Sequence, residues 1–175
     1  MLLFSVPMIL GNLLQQLYNI ADTLIVGRFI GSDALAAVGS SFTLMTFLTS
    51  VILGLCMGSG VAFPMFYGAK KEDELKSALV FSFFFIAALT LAITVGVLLF
   101  IDPIIGLLQI PFQIREMTQV YLRIIFYGMI FTFFYNYFAS VLRAFGNSLT
   151  PLIFLGISAI LNIALDLGFV LVLHM

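Results

Sequence analysis

Five long apolar runs dominate the sequence, and each is long enough to cross a membrane as an α-helix. A helix needs about 20 residues to span the hydrocarbon core of a bilayer. The runs cover approximately residues 2–27, 35–66, 77–101, 117–142 and 151–173. Of the 175 residues, 63% are hydrophobic and 9% are charged, whereas an ordinary soluble domain carries roughly 25% charged residues. Barrel strands would instead be segments of about 10 residues with alternating polarity. The sequence therefore predicts an all-α membrane protein with five transmembrane helices.

The charged residues gather in the short connectors between these runs. Four basic residues fall in the second and fourth connectors, and two fall in the first and third. They are, in that order, Lys70, Lys71, Lys76, Arg143, Arg28 and Arg115. Because lysine and arginine favour the cytoplasmic side, we expect a multi-pass protein of the cell (plasma or inner) membrane with a cytoplasmic N-terminus. A net charge of −1, with most charged residues gathered in short connectors, disfavours a nucleic-acid partner and leaves the lipid bilayer as the first partner.

Prolines and small residues indicate where helices end or pack. Asp102 and Pro103 predict the end of the third helix, and Pro151 fits the first turn of the fifth. Cys56 is the single cysteine, so neither an internal disulfide nor a cysteine–histidine metal site is expected. Three glycines of the second run favour close helix packing. They are Gly54, Gly58 and Gly60.

The first apolar run carries a polar stripe that lipid would not tolerate. Six polar residues with i, i+3, i+4 and i+7 spacing fall within an arc of about 120°, and Tyr18 borders them. They are Asn12, Gln15, Gln16, Asn19, Asp22 and Thr23. A carboxylate at this depth costs about 2.5 to 3.5 kcal/mol on insertion scales. The stripe is therefore expected to face other helices or a wet cavity, where it either joins helices or carries function.

The fifth run repeats this arrangement with Ser158, Asn162 and Asp166 at i, i+4 and i+8. Asn162 and Asp166 offer an amide oxygen and a carboxylate one turn apart. Such a pair can coordinate a hard cation such as Na⁺, together with Asp22, or it can hold a proton because burial disfavours the charged carboxylate. Both uses suit ion-coupled transport, and the plainer alternative is a protonated structural aspartate.

Several segments together resemble the multidrug and toxic compound extrusion (MATE) transporters. Residues 14–27 read LQQLYNIADTLIVG and residues 35–39 read LAAVG, which is similar to the first-helix signature of that family. Residues 143–147 read RAFGN before Pro151, and residues 161–166 read LNIALD, which resemble the family's loop between helices four and five and its fifth helix. The resemblance covers essentially the whole chain in matching order.

The resemblance implies a twelve-helix transporter of two six-helix lobes that exports organic, often cationic, compounds by alternating access. Efflux would be driven by H⁺ or Na⁺, and no other cofactor is expected. It implies ion- and substrate-binding roles for Tyr18, Asp22, Asn162 and Asp166. The remaining polar residues are expected to line the cavity; they are Gln15, Gln16, Asn19 and Ser158. Helix six and the second lobe are not in the sequence, so residues 1–175 are interpreted as a partial N-terminal lobe whose missing C-terminal lobe is a required partner.

Three other classes remain open at this point. A lipid-linked oligosaccharide flippase of the same superfamily would call for arginine or lysine in its cavity. An intramembrane aspartyl protease also needs two membrane aspartates, but its Tyr-Asp and Gly-x-Gly-Asp contexts are absent, since Asp22 follows Ala21 and Asp166 follows Leu165. A purely structural membrane subunit would keep both carboxylates in contact with neighbouring helices alone.

Overall fold

The computed structural model describes residues 2–169, and helices make up almost all of this part of the chain. Six α-helices follow one another. They are α1 (Leu2–Ile25), α2 (Ser32–Gly68), α3 (Glu72–Leu99), the short α4 (Ile101–Leu107), α5 (Arg115–Ala144) and α6 (Leu149–Leu167). A π-helical turn, Val26–Ile30, extends α1, and a 3₁₀ turn, Phe112–Ile114, precedes α5. The prediction of an all-α membrane protein is confirmed.

Four helical segments are long and apolar enough to cross a membrane. They are Ser32–Gly68, Glu72–Leu99, Phe112–Ala144 and Leu149–Leu167. Helix α1 has sufficient length at 24 residues, but its polar stripe lowers its mean hydropathy. An amphipathic helix of this kind needs protein or water on its polar side. The fifth predicted helix begins two residues earlier than expected, and its residues 170–173 lie outside the described part of the chain.

Residues 2–36 and 146–169 form one compact unit, in which α1 packs along α6. Helix α6 begins where Asn147 Oδ1 accepts a hydrogen bond from the Thr150 N–H at 3.1 Å. Pro151 lies in the first turn, as predicted. At the other end of α1, Gly31 adopts φ +122°, which a residue with a Cβ would rarely adopt, and this glycine separates the π turn from α2.

Residues 37–145 form the second unit, whose core lies between α2, α3, α4 and α5. Ile52, Ile105, Leu122, Phe126 and Phe133 are fully buried there. A cluster of aromatic rings joins α3 to α5, and the Tyr137 hydroxyl reaches both the Leu79 carbonyl, at 2.7 Å, and the Ser82 hydroxyl, at 2.9 Å. These contacts satisfy polar groups at membrane depth, where unpaired ones cost several kcal/mol.

Two sequence-based boundaries differ from the structure. The third helix ends at Leu99, and Asp102 and Pro103 lie in the first turn of α4 instead of ending α3. Proline is tolerated there because the first turn has no helical acceptor for its missing N–H, and Asp102 Oδ1 accepts a hydrogen bond from Gln119 Nε2 at 2.9 Å. Helix α3 also begins five residues early, at Glu72, because three acidic residues complement the positive end of the helix dipole.

The glycines of α2 behave differently from one another. A Cβ added at Gly54 or Gly58 would have no neighbour within 4 Å, so the expected close packing at these two positions is wrong within the described chain. Gly60 is buried against α5, where Ser140 Oγ donates to the Cys56 carbonyl at 2.7 Å. Close approach of α2 and α5 therefore depends on Gly60.

Candidate functional site

The candidate site lies between α1 and α6, which pack against each other more extensively than any other pair of helices in the described chain. Gly11 lies on the face of α1 that meets α6, and a Cβ there would be 3.8 Å from Leu152 Cδ1 and 3.7 Å from Leu155 Cδ2. Asp22 is eleven residues, or about three turns, further along α1, which places it on the same face. The packing of these two helices therefore turns Asp22 towards α6.

Asp22 meets Asp166 across this helix pair. Both residues are half-buried, and their carboxyl groups lie within hydrogen-bonding range of each other. Two ionised carboxylates at this separation repel each other strongly where the surroundings are apolar. The pair is therefore stable when it shares a proton or holds a cation between its oxygen atoms.

Asn162 completes the polar centre one turn before Asp166 on α6. Asn162 Oδ1 and Asp166 Oδ2 are shielded from solvent, and neither has a hydrogen-bond partner among residues 2–169. A buried acceptor without a donor costs about 1 to 3 kcal/mol, so two such atoms one helical turn apart favour a ligand that supplies positive charge. Two carboxylates and an amide oxygen are a donor set that suits a hard cation.

The other predicted residues divide into two groups. Tyr18 and Asn19 precede Asp22 by four and three residues, and both are half-buried. The Asn19 carbonyl accepts a hydrogen bond from Thr23 Oγ1 at 2.8 Å. The remaining members of the two stripes are exposed on the surface of the chain. They are Asn12, Gln15, Gln16, Thr23 and Ser158. The structure thus brings the two aspartates together, with Asn162 one turn from Asp166 on α6, and the rest of both stripes is exposed.

Sequence reasoning missed two features of the segment that carries Asp22. Gly11 was not identified as a packing position, although its spacing of four, seven and eleven residues from Gln15, Tyr18 and Asp22 could have shown it. The π turn that begins at Val26, four residues after Asp22, was also not expected. Turns of this kind occur frequently at functional sites, but no pattern in the sequence distinguishes this one from an ordinary helix end.

The chain is similar to one family of known proteins. The MatE family model matches residues 7–167, which include α2 to α5 in full and both aspartate-bearing segments. The "Probable multidrug resistance protein YoeA" of Bacillus subtilis (strain 168) is 38% identical over 94% of this chain. The "Probable multidrug resistance protein YpnP" of the same organism is 34% identical over 100% of this chain. The chain spans 36% and 39% of the lengths of these two relatives.

A solved structure agrees with these sequence matches. The structure of a multidrug resistance MATE family transporter of the MOP superfamily, in an outward-facing conformation, superposes with a TM-score of 0.90 and 28% sequence identity. The match covers 98% of this chain and 38% of that transporter chain. Sequence and structure therefore point to the same family.

Proposed function

The chain belongs to the MATE family of membrane transporters, and on this premise we propose that it forms part of an H⁺- or Na⁺-coupled antiporter that exports organic cations. The observation that supports this function best is the contact between Asp22 and Asp166, together with the buried, unpartnered Asn162 oxygen one turn from Asp166 on α6. The missing C-terminal lobe supplies the other half of the transport cavity. The secondary active mechanism needs no cofactor besides the coupling ion.

The chemistry of the pair supports exchange of one cation for another. A proton, a sodium ion or the positive group of an organic compound each offset one of the two negative charges, so these cations compete for the same pair of carboxylates. Binding of the coupling ion from outside therefore displaces the exported cation. Release of the ion towards the cytoplasm leaves both carboxylates ionised. In the inward-facing state they can then bind the next substrate cation.

The sign of the charge favours this function over transport of an anionic lipid-linked oligosaccharide. Asp22 and Asp166 are the ionisable carboxylates of α1 and α6, and the sequences of Leu2–Ile25 and Leu149–Leu167 contain neither lysine nor arginine. An anionic head group would meet two carboxylates and no cation on these helices. A cationic substrate meets a complementary site.

Transport of dyes of opposite charge tests this function. In proteoliposomes of the full-length protein, we expect an imposed H⁺ or Na⁺ gradient to drive movement of the cation ethidium. An anionic dye of similar size should move no faster than through protein-free liposomes, because two carboxylates repel it. Ethidium movement that is unchanged when both gradients are absent would contradict coupling. Preferential movement of the anionic dye would contradict the proposed substrate class.

The proposed orientation places the connector between α2 and α3 in the cytoplasm. Lys71 and Gln113 are exposed in connectors on opposite sides of the proposed topology. In a cysteine-free background of the full-length protein, we expect a membrane-impermeant maleimide to label Gln113→Cys on intact cells. We expect it to label Lys71→Cys only after the membrane is permeabilised. The reverse pattern would invert the topology.

A further inference from the structure

An exposed side of the second unit contains a groove at the start of α3, which we call the α3 groove. Two adjoining depressions of about 500 and 510 Å³ share Ser77 and Phe81. Asp73 and Glu74 lie at one end, Phe66 forms a side wall from α2, and Phe85 lies at the other end. The groove therefore joins a charged end to an aromatic end on one side of the helix.

The residues of the aromatic end lie along the axis of α3, parallel to the direction of an acyl chain if this helix crosses the bilayer. Phe81 and Phe85 are 71% and 52% exposed, and their rings stack with centroids 6.0 Å apart and planes 12° apart. They follow Asp73 by eight and twelve residues, which places them roughly 12 and 18 Å along the helix. This distance matches the depth of one leaflet, since the whole hydrocarbon core is about 30 Å thick.

The charged end carries both signs within the six residues from Lys71 to Lys76. Lys71 Nζ lies 2.8 Å from Glu74 Oε1, and Lys76 Nζ lies 4.0 Å from Asp73 Oδ1, with all four side chains exposed. Exposed pairs of this kind contribute little to stability, about 0 to 1 kcal/mol, so a ligand can replace them at low cost. A zwitterionic head group presents a phosphate for the lysines and an amine for the carboxylates.

We propose that the α3 groove binds an ethanolamine phospholipid, with its ammonium group at Asp73 and Glu74 and one acyl chain along Phe81 and Phe85. An ethanolamine ammonium donates hydrogen bonds to carboxylates, whereas a choline head group has no N–H donor. A purely anionic head group would meet the two carboxylates without a compensating amine. The inference needs α3 to cross the membrane with this face against lipid, and it does not depend on the transported substrate.

Lipid retention by the purified full-length protein tests this site. The protein is placed in nanodiscs with equal amounts of ethanolamine, choline and glycerol phospholipids of identical acyl chains, and native mass spectrometry counts the lipids it retains. We expect ethanolamine lipid to be enriched about fivefold, the ratio that an exposed charge pair can supply. The double variant Asp73→Asn, Glu74→Gln should lose this preference. The matched control Glu72→Gln should keep it, because Glu72 is an exposed carboxylate of the same turn that does not line the groove.

Each other occupant of the groove gives a different result. Equal retention of the three lipids, enrichment of the glycerol lipid, or an unchanged preference in the double variant would overturn the proposal. A photo-cross-linking residue at position 81 should capture lipid, and it should capture more ethanolamine lipid than one at Phe131, which is equally exposed on α5. Capture of another segment of the same polypeptide at position 81 would show that protein covers the groove, and would overturn the lipid assignment.

Discussion

Asp166→Asn in the full-length transporter is expected to reduce efflux of a cationic dye to the background of cells without the transporter. The asparagine would keep the size of the side chain and its hydrogen-bonding capacity, but it removes the charge that lets the pair bind a proton, Na⁺ or substrate. Asp22 would then face two amides on α6 and no second carboxylate. The measurement is dye efflux from loaded cells, together with the uptake of the coupling ion into proteoliposomes.

Two further variants make this result specific to the carboxylate pair. Asp22→Asn should have the same effect, and the double variant should be no worse than either single one, because residues that act as a unit show non-additive effects. Asp33→Asn is the matched control, since Asp33 is an exposed aspartate in the first turn of α2. Retention of efflux and ion uptake by Asp166→Asn would refute the coupling role. Loss of both in Asp33→Asn would point to a general effect on folding.

Asp22 and Asp166 could be selected as candidates from the sequence because burial of a carboxylate in a membrane helix is costly enough to stand out in a single sequence. Helical spacing placed Asp22 on one face of α1, and it placed Asn162 and Asp166 on one face of α6. Their contact could not be derived, because periodicity gives the face of each helix without naming the helix it meets. Asp22 and Asp166 are separated by 143 intervening residues, and only the tertiary structure shows that α1 packs along α6.

The helix boundaries show a similar division between local and tertiary information. Apolar runs predicted the membrane-crossing parts of α2, α3, α5 and α6, because the bilayer sets a minimum apolar length. The charged residues from Glu72 to Lys76 were interpreted as a connector, whereas they form the first turns of α3. Charge alone does not distinguish an exposed loop from an exposed helix start. Helix α4 was missed for a related reason, since seven residues provide too few positions to show a periodicity.

The glycines of α2 show where the sequence pattern was misleading. Gly54 and Gly58 have the Gly-x-x-x-Gly spacing that is typical of packed membrane helices, yet neither meets a neighbour in the described chain. Gly60 does not form that motif with either of them, but it carries the close contact with α5. The motif shows which helix faces are able to approach closely, but the position of the contact depends on the surface of the partner helix. Here Ser140 of α5 packs against Gly60.

We therefore expect Gly60→Val to destabilise the protein and Gly58→Val to leave its stability nearly unchanged. A Cβ at Gly60 would overlap Ser140 Oγ and force it away from the Cys56 carbonyl, and the added methyl groups would approach the backbone of α5. Overpacking of this kind typically costs about 1 to 3 kcal/mol. Thermal unfolding of the purified full-length protein in detergent micelles measures the difference, since both variants add the same side chain to the same helix.

A double variant separates the steric clash from any other effect of valine at this position. Ser140→Gly removes both the Cβ and the hydroxyl that the new side chain would meet, so we expect it to destabilise the natural protein but to lessen the effect of Gly60→Val. The free energy of unfolding of the double variant should then lie above the value that adding the two single effects gives. Equal losses for Gly58→Val and Gly60→Val, or strict additivity with Ser140→Gly, would show that the approach of α2 to α5 does not depend on Gly60.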